Sequence, residues 1–371
     1  VNLAFTFPMS VFGSIIVAYE DFVFQKLVNI TRIILNPLVM IAMLMLGYRA
    51  IGMTVITTLF NVVTLLVNCW YCFHKIHIRI YFGHCKWGFL KEVRICSFWI
   101  FLNAIMDRIY WSSGQFIFGM YKGAVAVAVY AVAIQLQGIY MSFSTAISGV
   151  FLPKVTAMVA KENNEKAISD LFIRMGRIQY AIMAVILTGF ILFGKVFIYF
   201  WAGSDYDEAY YIALLFFIPL TIPLIQNLGI IILQARNQMR FRCVLYVVIA
   251  FVSLGISIPL ARLYGGIGCA LGTVFALVVG QIIAMNIYYH RRIHIDIVRF
   301  WKEIFRMSLV PILLGGVGYC FLNMITLTNA WELGLAILLF SLIYVPLFWY
   351  MGLNGYEQSL FREPLKRLLK I

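Results

Sequence analysis

The chain has 371 residues, of which 63% are hydrophobic and only 12% are charged, and its mean hydropathy is +0.93. A soluble domain cannot cover that much apolar surface with a polar exterior, so this composition excludes a soluble globular protein. Lipid must be the solvent for most of the chain. The formal net charge of +14 raises nucleic acid as a partner, but the placement of the charges argues against it.

A helix needs about 20 apolar residues to cross the hydrocarbon core of a bilayer. By that criterion the sequence predicts an all-α, polytopic integral membrane protein with about eleven transmembrane helices. The predicted spans cover residues 1–18, 33–48, 51–72, 95–120, 123–152, 178–201, 209–233, 243–263, 266–289, 307–327 and 331–352. The loops outside the membrane are short and leave no room for an extramembrane catalytic domain.

Most of the 29 lysines and arginines fall in alternate loops. These loops lie within residues 26–32, 75–94, 154–177, 236–242, 291–306 and 362–370. The positive-inside rule places this side in the cytoplasm. The opposite side carries the acidic loop 203–210. The positive charge is therefore interpreted as topology and contact with anionic lipid headgroups, with no nucleic-acid partner.

Two stretches about 217 residues apart look like copies of each other. The matches are Ala18 with Ala235, Phe24 with Phe241, Tyr48 with Tyr264, Ile51-Gly52 with Ile267-Gly268, Asn68 with Asn286, Ile76-His77-Ile78 with Ile293-His294-Ile295, and Lys91-Glu92 with Lys302-Glu303. Apolar residues coincide often by chance in two apolar segments, so chance alignment is the alternative. Histidine, asparagine and Lys-Glu in the same order favour a true repeat.

The repeat predicts two helical lobes, related as parallel repeats, around a central cavity. Spans one to three match spans seven to nine, so about three further spans are expected upstream of Val1 and the first lobe is incomplete. The predicted organisation has residues 1–72 as the second half of the N-lobe, 73–95 as a basic cytoplasmic linker, 96–290 as a six-span C-lobe, 291–356 as an appended two-span hairpin and 357–371 as a cytoplasmic amphipathic tail.

Asp107 and Arg108 lie near the middle of the fourth predicted span. Each costs about 2.5–3.5 kcal/mol at a helix centre, so neither belongs against lipid. Helical spacing places Asn103, Asp107, Tyr110 and Gly114 on one stripe and Arg108, Ser112 and Gln115 on the next. These two adjoining stripes form a broad polar face, which predicts the wall of a water-filled pathway. Arg108 is the candidate anion contact, and Asp107 is the candidate proton or counter-charge site. The alternative is a structural ion pair to another span.

Further candidates for the pathway are polar residues on other spans and two arginines at the inner mouth. They are Gln115, Tyr130, Gln135, Gln137, Gln226, Asn227, Arg177 and Arg236. Pro219 and Pro223 should kink the seventh span and free backbone carbonyls. Such breaks are tolerated at membrane depth where they line a cavity.

Cys69 and Cys72, with nearby histidines, suggest a metal or redox cluster. They lie in the last turn of a lipid-embedded helix, however, and the other copy of the repeat has no cysteine there. The sequence therefore predicts no metal site and no cofactor. It also lacks GxSxG, HExxH and P-loop motifs, which argues against an enzyme.

Several stretches resemble a known family. They are AYEDF (18–22), VFLPKVTAMVA (150–160), RMGRIQ (174–179), LFGKVFIYFWAG (192–203), IQNLGIIILQARNQMRFR (225–242), YGGIGCALGT (264–273) and MNIYYHRRIHIDIVRF (285–300). They are similar to polysaccharide-export flippases of the Wzx type, within the superfamily of multidrug exporters and lipid II flippases. The resemblance covers nearly the whole chain and implies two six-helix lobes around a cation-lined cavity, which Arg108 would serve.

The resemblance implies a flippase that moves undecaprenyl-diphosphate-linked oligosaccharide units across the bacterial inner membrane for O-antigen or capsule synthesis. Alternating access is the expected mechanism, with H⁺ or Na⁺ as the candidate coupling ion and with Arg108, Arg177 and Arg236 attracting the diphosphate. The expected partners are the lipid-linked oligosaccharide, membrane lipids, a polysaccharide polymerase and a chain-length regulator. The alternatives are a cation-coupled multidrug exporter, which should prefer an acidic, aromatic cavity, and a membrane-embedded polymerase or ligase, which would need a large external loop.

Overall fold

A computed structural model describes residues 2–19, 21–47, 50–78, 87–161, 165–322, 329–355 and 357–359. Every regular element within these ranges is a helix. The all-α, multi-pass membrane fold predicted from the sequence is confirmed. Contacts within the chain define two compact units, Val1–Leu90 and Lys91–Ile371.

The first unit contains α1 (Asn2–Ala18), α2 (Phe22–Met45) and α3 (Ala50–His74). α3 packs against both α1 and α2. The core is small and is centred on Ile16 and Tyr71. No residue of α2 is fully buried, as expected of a helix whose surroundings are lipid.

α2 begins well before the predicted span 33–48. The prediction that Lys26 and Arg32 lie in a loop is wrong, because the turn ends at Asp21 and the helix runs through both basic residues. Arg32 lies about 15 Å along the helix axis from Phe22, at 1.5 Å per residue. It is therefore a charged residue within a membrane-crossing helix.

The remaining helices lie in the second unit, apart from the first residues of α4. They are α4 (Trp87–Val150), α5 (Leu152–Lys161), α6 (Glu165–Ala202), α7 (Asp207–Ile225), α8 (Asn227–Ala235), α9 (Met239–Leu277), α10 (Met285–Arg291), α11 (Ile297–Leu322) and α12 (Ala330–Met351). A 3-10 turn, Ser204–Tyr206, precedes α7, and a π-helix, Val278–Ala284, joins α9 to α10.

Two glycines divide long helices between predicted spans. α4 turns at Gly123, with φ 80° and ψ −176°, and α9 turns at Gly265, with φ 63° and ψ −136°. Glycine reaches positive φ because it has no Cβ to clash with the backbone. Gly123 falls at the start of predicted span 123–152, and Gly265 falls between spans 243–263 and 266–289, so both breaks agree with predicted boundaries.

By length and hydropathy, eight helices within the described residues qualify to cross a bilayer. The difference from the predicted total of about eleven has three sources. Met239–Arg291 holds two predicted spans in one continuous stretch, and α1 contributes only a shorter apolar helix. The first half of α4 carries Asp107 and Arg108, which lower its hydropathy.

The core of the second unit is aromatic. Phe172, Phe216 and Phe300 are fully buried there, and α6 packs against both α7 and α11. Phe251 and Val298, by contrast, are 71% and 70% exposed. Large exposed apolar side chains of this kind are expected of a surface that faces lipid tails.

The boundary between the two units falls inside the predicted linker 73–95. α11 and α12 both pack against α6. The assignment of residues 1–72 and 96–290 to two lobes, and of 291–356 to an appended hairpin, stays a prediction. Of the predicted tail 357–371, only residues 357–359 lie within the described part of the chain.

Candidate functional site

The second unit contains a cavity of about 310 Å³ between α4, α7, α8 and α9, with charged and polar groups set in a largely apolar wall. Its charged lining residues are Asp107 and Arg242. The rest of its wall is formed by Trp111, Met141, Thr145, Leu220, Pro223, Leu224, Asn227, Ile230, Tyr246 and Gln281. A side pocket of about 20 Å³ shares part of this wall and is large enough for a water molecule.

Arg242 is buried and its donors are engaged by neutral side chains. Its Nη1 donates to Asn103 Oδ1 at 2.9 Å, and its Nη2 donates to Tyr246 Oη at 2.9 Å. The Asp107 carboxylate lies close enough to both Arg242 and Tyr246 to interact with them electrostatically. We call these four residues, Asn103, Asp107, Arg242 and Tyr246, the Arg242 cluster. A buried guanidinium is stable in such a setting because it is hydrogen-bonded and has a counter-charge.

A break between α7 and α8 forms one side of the cavity. A kink was predicted at Pro219 and Pro223, but α7 stays helical through both prolines and ends at Ile225. The break falls at Gln226, which has φ −101° and ψ 11°. The observed position follows from hydrogen bonding, because side-chain donors lie beside the carbonyls that lose their helical partners at this end.

Two side chains satisfy those carbonyls. Ser144 Oγ donates to the Leu224 carbonyl at 2.7 Å. The Gln179 amide, oriented with its nitrogen toward α7, donates to the carbonyls of Leu224 and Ile225 at 3.2 and 3.0 Å and accepts from Ser148 Oγ at 2.6 Å. The break is therefore a satisfied structural feature rather than a local disorder of the helix.

The π-helix supplies Gln281 to the cavity. Gly280, next to it, packs so closely against α9 that a Cβ there would lie 2.0 Å from Ile249 Cδ1. The Nε2 atom of Gln281 is buried and has no hydrogen-bond partner within the described part of the chain. Single π-helical turns are frequent at functional sites, and an unpartnered amide in a cavity wall favours binding of a polar group.

The cavity brings together part of the predicted site. Asp107 and Asn227 line the cavity, and Gln226 lines the side pocket. The Gln226 amide is paired with Asn286, whose Oδ1 accepts from Gln226 Nε2 at 2.9 Å. The side chain of Arg108 lies outside the part of the chain that the structure describes.

The other predicted residues of α4 lie away from the cavity. Tyr130 is buried in the core, in space left by Gly114, where a Cβ would lie 2.4 Å from the tyrosine hydroxyl. Gln137 is buried and its Nε2 donates to Met141 Sδ at 3.6 Å. Gln135 is exposed and Gln115 is half-buried, and neither is among the lining residues.

Arg177 lies in a separate cluster at the basic end of the second unit. It lies within α6 rather than in the predicted loop and is 4% exposed. Its Nη1 donates to Glu303 at 2.5 Å, and its Nε and Nη2 donate to Glu357 at 2.5 and 3.0 Å. These bonds tie α11 and the segment after α12 to α6, so the guanidinium is already engaged within the protein.

Arg236 follows α8 at another turn of the basic end. Its Nη1 lies 3.4 Å from the Ile293 carbonyl oxygen, and it does not line the cavity. The predicted group of inner-mouth arginines is thus divided between two locations.

Sequence reasoning missed Arg242, Tyr246 and Gln281. Arg242 was assigned to the basic loop 236–242, which is wrong because α9 begins at Met239 and already includes it. A signal was present: Arg242, Tyr246, Ser253 and Ser257 recur at helical spacing and are all buried. Gln281 gave no such signal, because the π-helix changes the face on which it lies.

The first unit has a polar cluster of its own. Arg32 Nη1 lies 3.4 Å from Asn61 Oδ1, and Asn61 Nδ2 donates to Thr6 Oγ1 at 3.1 Å. This cluster joins α1, α2 and α3 through one arginine and two neutral side chains. Its position makes Arg32 a further candidate for the pathway, since charges inside membrane helices are usually functional.

The fold and these polar clusters define a multi-pass helical membrane protein with a polar cavity inside its second unit. The family model for polysaccharide biosynthesis proteins matches residues 2–211. The match covers more than half of the chain, so the protein belongs to this family.

Among solved structures, the chain is similar to a lipid II flippase, MurJ, in its inward closed conformation. The two are 16% identical with a TM-score of 0.57, and the alignment covers 81% of this chain and 62% of that chain. At this identity the likeness shows a shared fold. No curated protein matches the chain.

Proposed function

We propose that the protein is a flippase that moves undecaprenyl-diphosphate-linked oligosaccharide units across the bacterial inner membrane for O-antigen or capsule synthesis. The observation that carries this proposal is the Arg242 cluster, a buried arginine with polar partners at the wall of a cavity between apolar helices. Membership of a polysaccharide biosynthesis family and the fold shared with a lipid II flippase support it.

In this proposal Arg242 binds the anionic head of the lipid. Its planar guanidinium suits the oxygens of a diphosphate, which accept two parallel hydrogen bonds. Asn227 and Gln281 hydrogen-bond sugar hydroxyls, and the unpartnered Nε2 of Gln281 supplies a free donor. Trp111 offers an apolar face to a sugar ring.

Asp107 competes with the substrate for Arg242. When Asp107 is ionised it neutralises the guanidinium. When Asp107 takes up a proton, the N–H groups of Arg242 that Asn103 and Tyr246 do not use hold the diphosphate. This arrangement favours H⁺ over Na⁺ as the coupling ion, because the nearby positive charge of Arg242 opposes binding of a metal ion at Asp107. Alternating access then carries the bound head across the membrane without any covalent step.

The test uses the full-length protein in cells that lack their own copy. Arg242→Gln and Arg108→Ala should each abolish surface polysaccharide at normal protein level. Lys195→Gln is the matched control. The Lys195 side chain is 53% exposed, and its Nζ lies 3.8 Å from an Asp207 carboxylate oxygen at the acidic side, away from the cavity. The variant should leave polysaccharide unchanged. Normal polysaccharide with Arg242→Gln would contradict the assignment.

The same cells distinguish the multidrug alternative. The cavity contains Asp107, Trp111 and Tyr246, residue types that also suit a cationic drug. A drug exporter should confer resistance that depends on Asp107 and survives Arg242→Gln. Loss of polysaccharide without any change in drug resistance supports the flippase.

A further inference from the structure

The turns at the basic end of the second unit form an open recess separate from the membrane-embedded cavity. Its volume is about 920 Å³. The α8–α9 turn and the start of α9 contribute Asn237, Gln238, Arg240 and Phe241, and the end of α10 contributes Tyr288 and Arg292. The flippase mechanism proposed above does not use this recess.

The recess has an excess of positive charge. Arg240 and Arg292 are both exposed, and neither lies within 4 Å of a carboxylate among the described residues. In the same recess Phe241 and Tyr288 stack with ring centres 4.0 Å apart and planes at 3°. The Arg240 guanidinium also lies 5.8 Å from the centre of the Trp99 ring. Two arginines and a stacked aromatic pair in one recess offer donors and an apolar surface to the same ligand.

Arg236 adds a second, independent observation. It directly precedes Asn237, and its Nη1 reaches Ile293, the residue after Arg292, so its guanidinium lies between the two turns that form the recess. Its Nε and Nη2 atoms are buried and have no hydrogen-bond partner within the described part of the chain. Buried donors of a charged group are rarely left unpaired, and an anion would supply the missing partner.

The corresponding turn of the first unit lacks this excess. There Asp21 stands at the position of Gln238 and accepts a hydrogen bond from the Tyr71 hydroxyl. Lys75, at the position of Arg292, lies 5.2 Å from the centre of the Tyr71 ring. The acid offsets the lysine, so the first unit provides an internal control with balanced charge and the same pair of backbone hydrogen bonds after Tyr71.

We propose that the recess binds the phosphate group of a membrane lipid, through Arg240 and Arg292 with Arg236 behind them. The phosphate is either that of an anionic phospholipid or the diphosphate of a lipid-linked substrate. Phe241 and Tyr288 then contact the hydrocarbon next to the phosphate. Only the second source rests on the proposed flippase function, because binding itself requires no translocation.

The experiment is native mass spectrometry of the full chain in detergent, titrated with polyprenyl diphosphate, with phosphatidylglycerol or with phosphatidylcholine as the neutral comparison. The double variant Arg240→Gln/Arg292→Gln should bind the anionic lipids about tenfold more weakly or worse, since two charge-assisted contacts are lost. Lys75→Gln, the matched change in the first unit, should have no effect. Arg240→Lys/Arg292→Lys should keep part of the affinity, which separates lost charge from misfolding.

The two lipid arms identify the source of the phosphate. Weaker binding of polyprenyl diphosphate alone assigns the recess to the substrate, and weaker binding of phosphatidylglycerol as well assigns it to membrane lipid. Equal binding by wild type and double variant in both arms overturns the proposal, as does an equal loss with Lys75→Gln. Arg242→Gln lies outside the recess and should leave the binding of phosphatidylglycerol unchanged while it abolishes polysaccharide, so the recess and the flippase proposal fail separately.

Discussion

The two copies of the repeat share their turns but differ in their helices. In each copy the last helix ends where one tyrosine carbonyl accepts two backbone hydrogen bonds, at 2.9 and 3.4 Å. The accepting carbonyl is that of Tyr71 in the first copy and that of Tyr288 in the second. A histidine with positive φ follows in both, His77 at 53° and His294 at 58°. Matching geometry at matching positions supports the repeat inferred from the sequence.

The irregular helices occur in the second copy. α1 continues through Met9, whereas the corresponding position in the second copy is Gln226, where α7 ends and α8 begins. α3 is a regular helix, whereas its counterpart contains the π-helix Val278–Ala284. Both irregular segments contribute to the wall of the same side pocket, through Gln226 and Gln281.

The π-helix also explains the register of the repeat. Gly52 to Tyr71 in the first copy corresponds to Gly268 to Tyr288 in the second, which is one residue longer. A π-helical turn accommodates one such extra residue. Asn286 therefore corresponds to Cys69 rather than to Asn68, and the predicted match of the two asparagines is wrong. In the second copy, therefore, the irregular helical segments are the ones beside the cavity and its side pocket.

The largest expected effect comes from giving the second copy the residue of the first. Gln25 occupies the position that corresponds to Arg242, so Arg242→Gln makes the two alike. This change leaves Asp107 without its counter-charge and should lower the free energy of unfolding by about 3 kcal/mol, the cost of stranding a buried charge. Thermal unfolding in detergent measures it.

The second variant in this test is Asp107→Asn/Arg242→Gln. Removing both charges should recover most of the loss, because a neutral pair carries no uncompensated charge. A cost below about 1 kcal/mol for Arg242→Gln would be typical of a solvated ion pair. That result would mean that arginine at this position of the second copy, in place of the glutamine of the first, makes little difference to the free energy of unfolding.

The sequence predicted the helical membrane fold and the position of Asp107 within a helix, because apolar length and charge determine these locally. It did not predict where α7 breaks, since the break lies at Gln226 rather than at either proline. It did not predict Arg242, since the start of α9 was placed after it. Tyr130 and Gln137 were predicted to line the pathway, but helical spacing alone does not say which face of α4 meets the core. Partners such as Glu357 for Arg177 come from distant parts of the chain and have no local signal.

The aromatic stacks should contribute equally in the two copies. Phe24 stacks on Tyr71 at 3.6 Å and Phe241 stacks on Tyr288 at 4.0 Å. Phe24→Ala and Phe241→Ala should each lower the free energy of unfolding by about 1–2 kcal/mol, from lost ring contact and buried area. Phe251→Ala, at a position 71% exposed, is the control with little effect. If the two variants differed in free energy of unfolding by as much as about 1–2 kcal/mol, the two stacks would not be energetically equivalent.

The two histidines with positive φ should respond to glycine in the same way. An L-residue pays about 1–2 kcal/mol in the left-handed region, and glycine avoids that cost but loses more entropy on folding. His77→Gly and His294→Gly should therefore each stabilise the protein slightly, by about 0.5 kcal/mol. Unfolding curves of the two variants should overlap. Destabilisation in only one copy would show that its imidazole makes a contact that the other lacks.

The smallest expected effect is a pH dependence confined to the first copy. The hydrogen bond from Tyr71 lowers the pKa of Asp21 below its usual 3.8, with a further contribution from Lys75. Because the folded-state pKa is depressed, the stabilisation by Asp21 is present above pH 3.8 and is lost as the pH falls through the lower, folded value. Asp21→Asn should thus differ from wild type in unfolding midpoint at neutral pH and converge with it in acid. Gln238→Asn, at the corresponding position of the second copy, should show no such convergence, because no carboxylate titrates there. If both variants converged on wild type alike, the acid response would belong to the shared turn rather than to the charge that distinguishes its two copies.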